Sequence, residues 1–258
     1  MRDPSEGLIP DGTINTGVAR TKIPNPYLPL LDDLTSAVPP DVWVYVYGSV
    51  ATGMARLGLS DMDIVAVGLD PSHGKRLSRD LSLRYADVAR EVAVGAWSDA
   101  DLGDDDAGNG NRVFLKHYCA WLAGPDVAAS LPSYPGDKAA ARGFNGDVAH
   151  HLARWRQAPA ALDTGDTNRV NTLARRIGRK TLFAVAGLVS IHDHTWTTDR
   201  ETAARRWAQV RPDLDAHLDS LLAWGDGVGL AHHKDVGLIL ETTVAAIVDD
   251  FETEIGLW

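Results

Sequence analysis

The stretch "YVYGSVATGMARLGLSDMDIVAV", residues 45–67, decides how the first half of the chain is read. It opens on β-branched and aromatic residues that favour a strand, turns at Gly48-Ser49, and returns through a second apolar run headed by Asp61 and Asp63. Residues two apart on a strand share a face, so these aspartates project side by side while Met62 and Ile64 face the other way. Two carboxylates that close repel each other unless a cation lies between them. Their hard oxygens suit Mg²⁺, which takes carboxylates together with substrate phosphates, and two such ions can clamp the attacking and leaving oxygens of a phosphoryl displacement.

Gly48-Ser49 completes the arrangement. A glycine at a strand end lets the backbone approach a ligand, and Ser49 opens a short helix, expected over 49–55, whose free N–H groups attract anions such as a triphosphate tail. Eleven residues, 50–60, separate this pair from Asp61, which is enough for that helix and a return loop.

Outward from this stretch the elements alternate. "PYLPLLDDLTSAV" (26–38) has helical spacing and stops at Pro39-Pro40; "DVWVYVY" (41–47), "MDIVAVGL" (62–69) and "EVAVGAWS" (91–98) read as strands; "GKRLSRDLSLRYADVAR" (74–90) reads as a helix. "NRVFLKHYCAWLAG" (111–124) is ambiguous between the two, and helix is the favoured reading. The order predicts a mixed α/β (α+β) domain over 27–134, preceded by a Pro-, Gly- and Asn-rich arm, 1–26, lying on the surface or partly disordered. From 135 to 258 apolar residues recur three and four apart with almost no strand signal, which predicts an all-α helical bundle with N-caps at Thr167 and Asp199.

Composition narrows the partners. A formal net charge of −10 over 258 residues repels a phosphodiester backbone, so long nucleic acid is a poor partner. A single cysteine, Cys119, leaves no intramolecular disulfide, and the longest apolar run, "TLFAVAGLVSI" (181–191), is shorter than a membrane span. Both fit a cytoplasmic protein without a membrane segment. Base rates alone allow an isologous homodimer.

Gly48-Ser49, eleven residues, then Asp61-Met62-Asp63 resembles the signature of the nucleotidyltransferase superfamily to which DNA polymerase beta belongs. "EVAVGAWSDADL" (91–102) resembles the segment that carries the third carboxylate in bacterial aminoglycoside adenylyltransferases of the streptomycin/spectinomycin type, and "VNTLARRIGRKTL" and "AARRWAQ" resemble parts of their C-terminal helical bundle. The resemblance implies a nucleotidyltransferase fold and a Mg²⁺-dependent transfer of AMP from ATP onto a hydroxyl of a small molecule such as an aminoglycoside, with pyrophosphate leaving. It puts the metals on Asp61 and Asp63 with Glu91 as third carboxylate and general base, and the donor phosphates on Gly48 and Ser49. The alternatives are a nucleotidyltransferase acting on tRNA or protein, and a nucleotide-binding module without a working base.

Other residues carry two readings each. Asp99 and Asp101 rival Glu91 as the base. Arg175, Arg176, Arg179 and Lys180 form two i,i+4 pairs, either a clamp for the triphosphate, with Arg179 and Lys180 as nucleotide-binding residues, or a solvated basic face. The acidic stretch 99–106 either complements a polycationic sugar or is a mobile loop. Trp196, in a loop ahead of a helix, is the candidate for stacking on substrate. Neighbouring histidines at 150–151, 192 and 194, and 232–233 point in different directions on a helix and do not make a zinc site. Where the streptomycin/spectinomycin enzymes carry aromatics after the matching arginine, this chain has Ile177 and Gly178.

Overall fold

Isolated apolar side chains draw the N-terminal segment onto its neighbours. In the computed structural model, which describes residues 3–161, 166–228 and 231–258, strands β1 (Gly7–Leu8) and β2 (Ile14–Asn15) pair antiparallel. Ile14 and Ile23 are buried. The Ile14 N–H donates to the Tyr134 carbonyl at 3.0 Å, and the Tyr118 hydroxyl donates to Glu6 at 2.8 Å. Of the arm expected to lie on the surface or be partly disordered, the described residues 3–26 lie on the first unit and are tied to it, because two buried isoleucines nine apart leave no period in the sequence.

The chain divides into two compact units, Met1–Pro135 and Gly136–Trp258. In the first, α1 (Leu28–Ala37) is followed by β3 (Trp43–Tyr47), α2 (Gly48–Ala51), β4 (Met62–Val67) and α3 (Pro71–Arg84). Then come β5 (Val92–Trp97), α4 (Asp106–Tyr118), β6 (Cys119–Ala123) and α5 (Val127–Ser130). The sheet order is β5-β4-β3-β6; β4 and β5 run parallel and the other pairs antiparallel, which is the mixed sheet the sequence predicts.

Alternation along the strands sorts the core into two layers. Val44, Val46, Met62, Ile64 and Ala66 pack with Leu30 and Leu34 of α1 and Leu77 and Leu81 of α3. On the other face Tyr45, Val65 and Val67 pack with Leu115 of α4. Each such leucine contributes about 1.5–3 kcal/mol by leaving water.

Two elements differ from expectation. Helix α2 is one turn of four residues, shorter than the 49–55 expected, since Thr52 and Gly53 are poor helix formers. Segment 111–124 is helix only to Tyr118 and then becomes the edge strand β6. No Gly or Pro marks that switch, and Cys-Ala-Trp-Leu-Ala lacks β-branched residues, so sheet pairing with β3 overrides the local pattern.

The regular elements among the second unit's described residues are helices: α6 (Lys138–Asn145), α7 (Val148–Ala161), α8 (Thr167–His192), α9 (Arg200–Val210), α10 (Asp215–Asp226), α11 (His233–Ile239) and α12 (Ala245–Glu254), with a π turn at Leu240–Val244. Helix α8 is central and buries Ala174, Ile177, Leu182, Val185 and Leu188. Gly178 lets α10 approach: a Cβ there would collide with the Leu221 carbonyl and the Gly225 amide. Asp166 caps α8 by accepting from the Arg169 N–H at 3.0 Å, so Thr167 is the first helical residue and not the cap; Asp199 caps α9 as expected. Among the described residues no helix is long and apolar enough to cross a membrane.

His117 on α4 gives the first unit a pH dependence. Its Nε2 accepts from the Tyr134 N–H at 2.9 Å, and burial, followed by the charge of Lys116, pushes its pKa down to about 4. The unfolded chain binds that proton near pH ~6.5. Below that value the unfolded state therefore holds more protons, and stability is lost as pH falls from ~6.5 towards 4. Denaturant titrations at steps across this window are expected to show the loss, and His117→Asn, which cannot titrate, is expected to flatten it.

Candidate active site

The antiparallel pairing of β3 with β4 sets Tyr47 directly across from Asp63. Gly48, next in sequence, has φ +72°, a conformation that L side chains rarely adopt, and a Cβ built there would lie 3.2 Å from Asp63 Oδ2. The Asp63 carboxylate thus lies against bare backbone. Beneath it the Tyr47 phenol, edge-on to Phe114 with centroids 4.9 Å apart, has its pKa raised by burial and then by the charge of Asp63.

Parallel pairing of β4 with β5 aligns Met62 with Val92 and Asp63 with Ala93. Hydrogen bonds extend this ladder past the strand ends, from the Met62 N–H to the Glu91 carbonyl at 2.8 Å and from the Arg90 N–H to the Ser60 carbonyl at 3.1 Å. Met62 and Val92 bury on the α1/α3 side. By alternation Asp61, Asp63 and Glu91 take the opposite face, the one that carries Tyr47.

A cation already stands among them. Arg90 forks onto Asp61, Nε to Oδ1 at 2.9 Å and Nη2 to Oδ2 at 2.5 Å. Its pKa is raised first by that bond and the Asp61 charge, then by Glu91 and Asp63, so one guanidinium feels all three carboxylates. Among the described residues no group of three or more His, Cys, Asp or Glu is arranged to hold a metal ion. The carboxylates still fit Mg²⁺: it binds through one or two of them and completes its shell with water and substrate phosphate, and Asp61 already holds a positive charge.

The helical unit contains a cavity of about 740 Å³ lined by α7, α8 and the start of α9. Arg154, Arg176, Arg179, Lys180 and Arg200 supply positive charge, Trp155 and Phe183 supply rings, and among the described residues no carboxylate lines it. Lys180 Nζ pairs with Asp147 Oδ1 at 2.6 Å and donates to the Phe144 carbonyl at 3.1 Å; Arg179 Nε donates to the Gly225 carbonyl at 2.9 Å. Both predicted nucleotide-binding residues are thus fixed by the bundle while lining the cavity. His151 extends the network. Arg154 Nη2 lies 2.7 Å from its Nδ1, which must accept, so its Nε2–H donates to Asp147 Oδ2 at 3.0 Å. Burial pushes this imidazole below its ordinary pKa, in keeping with the neutral form.

No family model matches the chain, and no curated protein does. Among solved structures, the crystal structure of spectinomycin adenyltransferase AAD(9) from Enterococcus faecialis with ATP and spectinomycin matches over 87% of this chain and 98% of that one, with a TM-score of 0.50 and 12% sequence identity. The chain has the nucleotidyltransferase fold. At that identity the likeness is one of fold.

Within the nucleotidyltransferase fold the remaining candidates separate. The acidic stretch is folded into its own neighbourhood: Asp101 accepts from the Ser98 N–H and hydroxyl at 2.7 and 2.8 Å, Asp105 caps α4 through the Gly108 N–H at 2.7 Å, and Asp104 lies 3.6 Å from Arg112. Trp196, expected to stack on substrate, is 3% exposed and packs on Phe144 at 6.0 Å, so it is core. Arg175 does not line the cavity that Arg176, Arg179 and Lys180 share. Sequence reasoning missed Arg90, Arg154 and Arg200. The signal for Arg90 was its place immediately before Glu91, one ladder step from Asp61; nothing local marks the other two, which α7 and α9 bring in from a distance.

Gly48→Ala is expected to destabilise the protein by about 1–2 kcal/mol, the cost of a left-handed residue with a Cβ, read as a lower denaturation midpoint at unchanged m. An unchanged midpoint would show that Gly48 does not hold this backbone against Asp63.

Proposed function

We propose that the protein is a nucleotidyltransferase that moves a nucleoside monophosphate, AMP from ATP, onto a hydroxyl of a small molecule and releases pyrophosphate. What carries the reading is the facing of Asp61, Asp63 and Glu91 to one side of two adjacent parallel strands, on the fold shared with an adenyltransferase whose crystal holds ATP and spectinomycin. The acidic cluster is where a phosphoryl transfer needs positive charge, and the fork of Arg90 on Asp61 supports that need in the protein alone.

Asp61 and Asp63 would hold two Mg²⁺ ions, with Glu91 beside them. Bound there, the metal supplies positive charge against the triphosphate and polarises the oxygens being exchanged. Glu91 takes the proton of the acceptor hydroxyl; that oxygen forms a bond to the α-phosphorus as the bond from the α-phosphorus to the bridging oxygen breaks, and pyrophosphate carries the electron pair away. Gly48 offers its backbone, and Ser49 its hydroxyl, to the donor phosphates. A four-residue helix has little dipole, so this role rests on close approach at Gly48 and not on a helix end. Arg179 and Lys180, with Arg176 and Arg200 on the same cavity, are the nucleotide-binding cations of this reading; five cations and, among the described residues, no carboxylate in the lining suit an anion.

The test is to incubate the protein with Mg²⁺, each α-labelled NTP and panels of aminoglycosides, tRNA and proteins, and to follow label and pyrophosphate. Label is expected to move from ATP to a small-molecule hydroxyl. Asp63→Asn is expected to abolish transfer, and Glu91→Gln to slow it by about 10²–10⁴, the usual worth of a general base. Full activity in the Asp63 variant would end the mechanism. For the cavity, Arg176→Gln is expected to weaken ATP binding about tenfold in calorimetry, as loss of one charge-assisted contact would; an unchanged affinity would remove the cavity from the donor site.

A further inference from the structure

We propose that Arg90 is a built-in competitor for the metal: its guanidinium forks onto both oxygens of Asp61, and a divalent cation takes the inward lone pairs of that carboxylate only by displacing it. The proposal rests on the reading of Asp61 as a metal ligand. Nε and Nη2 each take one oxygen, at 2.9 and 2.5 Å, as a fork does with the inward lone pairs, so a metal at Asp61 is left the outward pairs or must displace the guanidinium. The backbone is pinned on both strands. Arg90 N–H is held by the Ser60 carbonyl and Glu91 carbonyl by the Met62 N–H, so any adjustment falls to the side chains of Arg90 and Asp61.

That side chain is free to leave. It is 58% exposed, against 29% for Asp61, and exposed ion pairs are weak. The pair is thus strong enough to offset like-charge repulsion among Asp61, Asp63 and Glu91, and weak enough to yield to a doubly charged ion. Without the fork the same three carboxylates would attract any cation. With it, binding at Asp61 requires an ion that outcompetes a guanidinium, which favours a small divalent cation, alone or carried in on a nucleotide's phosphates.

The test is a Mn²⁺ titration of nucleotide-free protein, followed by the electron paramagnetic resonance signal of free Mn²⁺, with circular dichroism confirming that each variant is folded. Arg90→Gln is expected to tighten Mn²⁺ binding about three- to fivefold, the range of an exposed ion pair. Arg90→Lys, which keeps the charge but loses the fork, is expected to tighten it by less. In an Asp61→Asn background, Arg90→Gln is expected to add nothing, because competitor and contested carboxylate act as a unit. Equal affinities for wild type and Arg90→Gln, a Lys variant identical to wild type, an undiminished gain in the Asp61→Asn background, or no Mn²⁺ binding to wild type and Arg90→Gln would each overturn the proposal. No nucleotide or turnover enters this measurement, so its failure and a failure of label transfer are separate results.

Discussion

Like charges at the head of adjacent strands repel, and much of the first unit can be understood as the means of holding them together. Asp61 and Asp63 share a face because β4 alternates; Glu91 joins them because β5 runs parallel to β4 in a register that the Met62–Glu91 hydrogen bond extends beyond the strand ends. Each carboxylate stays at the rim, where solvent and Arg90 moderate the charge, while Met62, Ile64 and Val92 anchor the same segments in the core. Turning the strand over would bury the carboxylates and expose Met62 and Ile64, so the hydrophobic pattern fixes the charged face.

The legible parts of the fold are those where a local pattern and the tertiary structure agree. Strands 43–47 and 62–67 carry dense β-formers, and helices such as 28–37 and 200–210 carry spacing and a stop or cap. Where the two levels part, the sequence misleads. Cys119–Ala123 becomes a strand because β3 offers an edge, although its own residues continue the helical pattern of Arg112–Tyr118. Ile14 and Ile23 are buried without neighbours in sequence to show it.

The site divides along the same line. Gly48, Asp61 and Asp63 lie within sixteen residues, counting both ends, and their relation follows from strand geometry alone. Arg90 needs the parallel register as well, which a sequence does not state. Arg154, Arg176 and Arg200 meet only because α7, α8 and α9 pack around one cavity. Trp196 illustrates the converse, since a residue placed in a loop by pattern turns out to be covered by Phe144.

Charge is spread unevenly over the chain. The molecule is acidic overall, with a net charge of −10, yet its helical unit gathers five cationic side chains around one cavity, with no carboxylate in the lining among the described residues. Two of the five are matched by acids from the same unit, Lys180 by Asp147 at 2.6 Å and Arg200 by Asp226 at 2.9 Å. In the acidic stretch of the first unit, Asp101 is engaged by Ser98 and Asp105 by the Gly108 N–H, while Asp104 stays exposed. Ile177 is fully buried, as a core residue of α8. Charge is thus patterned locally: acids head β4 and β5, and cations line one cavity, four of them held by a neighbour, Arg154 by His151, Arg179 by the Gly225 carbonyl, Lys180 by Asp147 and Arg200 by Asp226.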